Sequence, residues 1–192
     1  MKCIIIGSPG SGKSWLGRLL SEKTNIPLYP LDLYYWNEGW QPTEREEWIK
    51  KQQEMIAGEN WIIEGNYKST LDLRIAAADT IIFLDMPRLL CIWRIICRRN
   101  KKRPDLPEGL REPFDREFFE FLKLAWDFPK TERQSIIEKL SCQPSAGKNS
   151  LHIVHIRTKK QLKNEITYIN HEKISLKNTA VSAKKGIELL EK

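Results

Sequence analysis

Eight residues near the N-terminus combine glycines, a lysine and a serine at a spacing that suits phosphate binding. The run Gly7-Ser8-Pro9-Gly10-Ser11-Gly12-Lys13-Ser14 matches the pattern G-x-x-x-x-G-K-[ST] in full. The glycines let the backbone curl, so that successive N–H groups point at phosphate oxygens. The lysine reaches the β- and γ-phosphates, and the serine hydroxyl ligates Mg²⁺. We therefore predict a nucleoside triphosphate site with Mg²⁺, whose binding residues are Gly7, Ser8, Pro9, Gly10, Ser11, Gly12, Lys13, Ser14 and Trp15.

The sequence on both sides of this loop fits that interpretation. A phosphate loop follows a strand and opens a helix. The β-branched run Cys3–Ile6 precedes it, and Leu16, Leu19 and Leu20 follow at helical spacing. The N-terminus of that helix adds partial positive charge where the phosphates bind.

Apolar strands and amphipathic helices alternate along the rest of the chain. This alternation predicts an α/β fold with a parallel sheet and helices on both faces. Ligands of such sheets bind at the carboxyl ends of the strands. Asp32, Glu64 and Asp85 fall near predicted strand ends, so we expect them near the phosphate loop. A buried strand is predicted at Asn60–Glu64, an apolar strand at Thr80–Asp85 and a last strand at Leu151–Ile156.

Several helix starts carry the capping-box pattern, in which Ser or Thr is followed three residues later by Glu or Gln. We predict that it opens helices at Thr43-Glu44-Arg45-Glu46, at Thr131-Glu132-Arg133-Gln134 and at Thr158–Gln161.

The net charge of +7 comes from one block of the sequence. No acidic residue interrupts its seven basic residues, which are Arg88, Arg94, Arg98, Arg99, Lys101, Lys102 and Arg103. One interpretation is a solvated basic face. The other is a lid that places two arginines of this block on ATP phosphates. The candidates are Arg94 and Arg98, which are four apart and share a helix face, and Arg99 and Arg103; Arg98 and Arg103 are the assigned pair.

Composition limits the class of protein. No apolar run approaches the ~20 residues of a transmembrane helix, so we predict none. Cys3, Cys91 and Cys97 lie in apolar surroundings without C-x-x-C spacing, which predicts buried, reduced thiols and a cytoplasmic location.

Further motifs add a family resemblance. The phosphate loop resembles that of small nucleotide kinases of the adenylate-kinase-like group. A bacterial family named for "DNA topology modulation" is similar over about residues 1 to 168, in the stretches Pro30–Asp32 with Trp36 and Trp40, Trp61–Tyr67, Ala78–Asp85 and Phe114–Pro129. The resemblance implies a P-loop NTPase with a five-stranded parallel sheet and a small lid insertion, binding of ATP or GTP, and an influence on DNA. We assign residues 1–170 to this domain, about 98–130 to the lid, and 171–192 to a C-terminal tail.

The chain departs from true adenylate kinases after the third predicted strand. Those enzymes carry a glycine-phenylalanine-proline-arginine run there, whose arginine holds the acceptor phosphate. Here the run reads Gly65-Asn66-Tyr67-Lys68, and Arg74, the nearest arginine beyond it, is the candidate for the contact with an acceptor phosphate. Glu64 stands where relatives often carry an aspartate that holds Mg²⁺ through water.

The acceptor side is predicted around Asp32. This residue is either a general base for a hydroxyl acceptor, an orienting group or a turn former. The rings that follow it either stack on the acceptor or cover the sheet, and they are Tyr34, Tyr35, Trp36 and Trp40.

Two functions remain from the sequence. The preferred one is a phosphotransferase that moves the γ-phosphate of ATP to a nucleotide or another small acceptor, with catalytic residues Lys13, Asp32, Arg98 and Arg103. The alternative is an ATP-dependent regulator that acts on DNA topology. No helix-turn-helix, zinc finger or aromatic RNA-binding motif is evident, and a basic patch alone gives only salt-sensitive, non-specific binding.

Overall fold

A parallel sheet of five strands forms the centre of the molecule. The structure is a computed structural model that describes residues 1–99, 104–107, 115–142 and 151–171. Its strands are β1 (Lys2–Gly7), β2 (Leu28–Pro30), β5 (Trp61–Glu64), β6 (Thr80–Leu84) and β7 (His152–Ile156), in the order β2-β5-β1-β6-β7. All neighbouring pairs run parallel, which confirms the predicted sheet. A short antiparallel pair, β3 (Trp36–Asn37) and β4 (Gln41–Pro42), lies outside it.

Helices cover both faces of the sheet. They are α1 (Lys13–Thr24), α2 (Leu31–Tyr35), α3 (Arg45–Ala57), α4 (Leu71–Ala77), α5 (Arg88–Arg98), α6 (Arg116–Thr131), α7 (Arg133–Ser141) and α8 (Lys159–His171).

Alternate residues of each strand supply two separate cores, because successive side chains of a strand point to opposite faces. Ile4 and Ile6 of β1 pack in one cluster with residues from α2, α3, α4, α6 and α7. Cys3 and Ile5 pack in the other, with residues from α1, α5 and α8. The central strand that leads into the phosphate loop is therefore buried on both sides and rigidly held.

The predicted helix starts have mixed outcomes. Thr158 and Gln161 form a capping box: the Gln161 N–H donates to the Thr158 hydroxyl at 3.1 Å, and the Thr158 N–H donates to Gln161 Oε1 at 3.0 Å. The helix predicted after Thr131 is present as α7, but its capping box is wrong, because α6 continues to Thr131 and the hydroxyl of that residue donates to the Asp127 carbonyl. At α3 the capping residue is Glu44 rather than Thr43, whose hydroxyl instead donates to carbonyls at the end of α2.

The cysteine prediction is wrong at one position. Cys3 and Cys91 are buried free thiols, but Cys97 is exposed. Cys91 and Ile95 form the buried side of α5, and Cys97 lies away from it. Within the described residues, no helix has the length and apolar character needed to cross a bilayer. The tail after residue 171 lies outside the described residues, so its boundary stays a prediction.

Candidate functional site

The phosphate loop joins β1 to α1 and is shaped by glycines with left-handed backbone angles. Gly7, Gly10 and Gly12 have φ values of 146°, 76° and 107°. A Cβ on Gly7 would lie 2.3 Å from the Leu84 carbonyl oxygen, and one on Gly10 would lie 2.4 Å from the Cys91 carbonyl oxygen. The loop therefore packs directly against the end of β6 and the first turn of α5, where no larger side chain fits.

Polar contacts hold the loop in this position. Arg94 of α5 donates from Nη1 to the Ser11 carbonyl at 2.7 Å and to the Gly10 carbonyl at 3.4 Å. The Gly7 N–H donates to Asn66 Oδ1 at 2.9 Å. The spacing of arginines on α5 made Arg94 a candidate for phosphate binding. In the structure it instead holds the backbone of the phosphate loop.

Lys13 is folded onto the loop that carries it. Its ammonium donates to the carbonyls of Gly7 and Ser8 at 3.0 and 3.1 Å. Burial lowers the pKa of this ammonium, while the carboxylates of Glu64 and Asp32 act in the opposite direction. Those two carboxylates are therefore close enough to interact with the lysine. Lys13 thus connects the phosphate loop with Glu64 at the end of β5 and with Asp32 just after β2.

Glu64 ends β5 beside the loop and is 3% exposed. Burial raises its pKa to about 7, although Lys13 and a hydrogen bond with Ser14 lower it. Among the described residues, its Oε1 atom has no hydrogen-bond partner. An orphaned buried carboxylate oxygen beside a serine hydroxyl suits a hard cation that prefers oxygen ligands.

These residues fit Mg²⁺ in the form in which it accompanies a nucleotide. Mg²⁺ is usually held by one or two carboxylates together with substrate phosphates and water. Ser14 and Glu64 supply such a partial set. Within the part of the chain that the structure describes, no group of three or more His, Cys, Asp or Glu residues suits a metal ion.

A cleft of about 360 Å³ extends from the phosphate loop toward the predicted acceptor side. Asp32 lines it, and the Tyr67 hydroxyl donates to Asp32 Oδ1 at 2.8 Å. Tyr67 is held in turn by ring contacts with Tyr35 and Trp48, whose centroids lie 4.6 and 5.0 Å away. The cleft thus contains, in one space, the polar residues Lys13, Ser14, Asp32, Glu64, Asn66, Arg98 and Glu132 and the aromatic residues Trp36, Trp40, Tyr67 and Phe121.

The rings after Asp32 divide between the two predicted roles. Trp36 and Trp40 line the cleft and contact each other edge to face, with centroids 5.5 Å apart. Tyr34 and Tyr35 pack against the core.

Arg74 does not face the cleft. It is fully buried, and its guanidinium donates to the carbonyls of Gly65 at 2.7 Å, Asn66 and Tyr67 at 3.2 Å. The suggestion that it holds an acceptor phosphate is therefore wrong, because its donors are used to shape the loop after β5.

The basic block is not a uniform solvated face. Arg98, the last residue of α5, lines the cleft and lies over the Phe121 ring at 6.0 Å from its centroid. Arg88 lies over the Trp126 ring at 4.3 Å. Lys101, Lys102 and Arg103 lie outside the described residues, so the predicted role of Arg103 stays a prediction.

Asp85 belongs to a separate polar cluster after β6. Its Oδ2 atom accepts from Arg133 Nε at 2.8 Å and lies 3.0 Å from His155 Nε2. The His155 ring stacks on Phe83 at 4.9 Å between centroids. This cluster joins the ends of β6 and β7 to α7, and Asp85 is not among the residues that line the cleft.

The strand order, the loop and the flanking helices define the α/β fold of P-loop NTPases. Solved structures with this fold include a shikimate kinase from Bacteroides thetaiotaomicron, 16% identical with a TM-score of 0.53, which covers 88% of this chain and 95% of its own. A shikimate kinase from Aquifex aeolicus is 21% identical with a TM-score of 0.50 and covers 88% of this chain and 96% of its own. At these identities the likeness shows the fold. No protein-family model and no curated protein matches the chain.

Proposed function

We propose that the protein is a P-loop phosphotransferase of the adenylate-kinase-like group that transfers the γ-phosphoryl group of ATP to a hydroxyl of a small acceptor. The observation that carries the proposal is one cleft lined by Lys13, Ser14, Asp32 and Glu64. Phosphoryl transfer needs positioning and positive charge more than covalent chemistry from the protein. A hydroxyl acceptor also needs a carboxylate nearby, because its proton must leave as it attacks.

Each residue then has a defined task. Lys13 and Arg98 bind and neutralise the phosphates, while the loop N–H groups hold them in line. The acceptor oxygen bonds to the γ-phosphorus as the bond to the β-phosphate oxygen breaks and ADP leaves. Asp32 takes the acceptor proton, and Tyr67 holds its carboxylate in orientation. Mg²⁺, held by Ser14, Glu64 and the phosphates, would neutralise the charge that develops on the transferred group.

The chemistry of the cleft favours a neutral acceptor over a phosphorylated one. Among the described residues that line it, Lys13 and Arg98 are the basic ones, and both are assigned to the triphosphate. The side chains left for the acceptor are the carboxylates of Asp32 and Glu132 and the rings of Trp36 and Trp40. Carboxylates repel a second phosphate but accept from hydroxyls, and indole rings pack on the apolar faces of small ring-shaped molecules.

The regulatory alternative draws on the basic block and the resemblance to the topology-modulation family. Three of the seven basic residues are engaged within the protein: Arg94 on the loop, Arg98 in the cleft and Arg88 on Trp126. This reduces the charge available to DNA, so we rank this function second.

A screen of ATP consumption over nucleosides, small alcohols and nucleoside monophosphates tests the proposal. We expect turnover with a hydroxyl acceptor and none in Lys13→Met. Asp32→Asn keeps the shape but loses the base, so kcat should fall by roughly 10²–10⁴ with little change in ATP affinity. Asp72→Asn, at an exposed aspartate paired with Lys139, is the matched control and should leave kcat unchanged. ATP hydrolysis stimulated by duplex DNA, with no acceptor in the screen, would favour the regulator instead.

A further inference from the structure

A short segment distant in sequence lies on the phosphate loop. In residues 104–107, Asp105 is 4% exposed, and Leu106 is 6% exposed and lines the cleft. The Ser14 hydroxyl donates to Asp105 Oδ2 at 3.0 Å, across 91 positions of sequence. Asp105 Oδ1 lies 3.8 Å from Arg18 Nη1 on α1. A buried carboxylate thus contacts the serine that the sequence assigns to Mg²⁺.

The direction of this hydrogen bond matters for metal binding. A serine hydroxyl has one proton to donate and two lone pairs with which to accept or to ligate a cation. When the Ser14 hydroxyl donates its hydrogen bond to Asp105, both lone pairs of the hydroxyl oxygen remain to ligate a cation in the cleft. Glu64 lines the same cleft as Ser14, and its Oε1 atom has no hydrogen-bond partner among the described residues.

Two buried carboxylates are therefore associated with the Ser14 side of the cleft: Asp105 accepts the hydrogen bond of the Ser14 hydroxyl, and Glu64 keeps one oxygen without a partner among the described residues. Buried like charges are costly unless a counter-charge joins them. Arg18 and Lys13 supply part of that counter-charge. A divalent cation beside Ser14 would supply more, since it would be a ligand partner for Glu64 and would lie close to the Asp105 charge.

The geometry points to Asp105 as a positioning residue for Mg²⁺. Its carboxylate accepts the hydrogen bond of the Ser14 hydroxyl, so that the lone pairs of the hydroxyl face the metal, and it adds negative charge next to this metal ligand. This role rests on the proposed triphosphate site and is independent of transfer to an acceptor. It also links metal binding to the seating of residues 104–107 on the loop. The alternative is that the Asp105 carboxylate occupies the phosphate loop in place of phosphate and competes with nucleotide.

The test is calorimetric titration with a non-hydrolysable ATP analogue, once with Mg²⁺ and once with EDTA. The ratio of the two Kd values measures how strongly metal and nucleotide binding are coupled, without an acceptor or turnover. Outer-shell partners of metal ligands are typically worth 10–100-fold in metal affinity. We expect Asp105→Ala to reduce the ratio by about 10–100-fold, with the Kd in EDTA unchanged.

Two further variants make the test decisive. Asp105→Asn can still accept the hydrogen bond of the Ser14 hydroxyl but lacks the charge, so the ratio of the two Kd values should fall by less than in Asp105→Ala. This variant also provides the test if Asp105→Ala does not fold. Glu120→Gln removes an exposed acidic charge on α6 and should leave the ratio unchanged. An unchanged ratio in both Asp105 variants overturns the inference, and so does tighter nucleotide binding in both conditions, which would identify a competing anion.

The outcomes also separate this inference from the proposed function. Metal-coupled nucleotide binding without transfer to any acceptor would refute the phosphotransferase proposal alone. A parent protein that does not bind the analogue would overturn both.

Discussion

Replacing Gly10 with alanine should be far more damaging than replacing Gly39. The two glycines have nearly the same left-handed φ, 76° and 69°, so the backbone strain of an alanine is similar at both. That strain costs about 1–2 kcal/mol. Their surroundings differ, because a Cβ on Gly10 would lie 2.4 Å from the Cys91 carbonyl oxygen, whereas one on Gly39 would have no atom within 4 Å. The comparison therefore isolates the cost of pushing the phosphate loop away from α5.

Relieving that overlap requires the loop or the first turn of α5 to move, and overpacking of this kind typically costs 1–3 kcal/mol. We expect Gly10→Ala to lower the free energy of unfolding by about 2–5 kcal/mol and Gly39→Ala by about 1–2 kcal/mol. In a domain of this size, each 1 kcal/mol corresponds to about 2–4 °C in Tm. Urea unfolding gives both values, and nucleotide titration should show weaker binding in Gly10→Ala. Equal losses of stability in the two variants would refute the reasoning that contact with α5 fixes the loop.

Two further predictions concern buried polar clusters. Arg74→Ala removes the donors of three loop carbonyls, so it should lower the free energy of unfolding by roughly 3–5 kcal/mol, against about 0.5 kcal/mol or less for the exposed Arg116→Ala in the same urea titration. A stable Arg74→Ala protein with weakened acceptor binding would instead return this arginine to the acceptor site. Burial alone would raise the pKa of Asp85, but hydrogen bonds from His155 and Arg133 outweigh it and hold the pKa below its ordinary value of 3.8. Its stabilisation is therefore present above about pH 4 and is lost as the pH falls through the folded pKa, so Asp85→Asn should lower Tm at pH 7 and this effect should shrink as the pH falls below about 4; a Tm difference that stays constant as the pH falls would contradict the shift.

The fold could be predicted because its signals are local. Three of the five strands, β1, β5 and β6, contain continuous apolar runs. The phosphate-loop pattern in addition predicts the strand before it and the helix after it. The edge strand β2 has only Leu28–Pro30, too few residues for a periodic signal. The capping box at Thr131 was wrong because the same hydroxyl can cap a new helix or bond to the carbonyl four residues before it.

The site could be predicted only in part. The pattern around Lys13 specifies the loop, but it contains nothing about Asp105, whose contact with Ser14 depends on a segment without periodicity. Arg94 and Arg98 share a helix face and have the same chemistry. Their roles differ because one turn of α5 separates an arginine beside the loop backbone from one at the cleft, and spacing alone does not resolve that distance.

Two arginines, Arg94 and Arg74, were candidates for phosphate binding from the sequence. In the structure they instead shape two loops beside the cleft. Arg94 donates to carbonyls of the phosphate loop, and Arg74 donates to carbonyls of the loop after β5. A guanidinium that saturates backbone carbonyls fixes their geometry but has fewer donors left for a ligand. Among the described residues that line the cleft, Lys13 and Arg98 are the cations, and both are assigned to the proposed triphosphate. The arginines that fix these two loops are thus not counted among the cations of the cleft, and we keep a hydroxyl at Asp32 as the proposed acceptor.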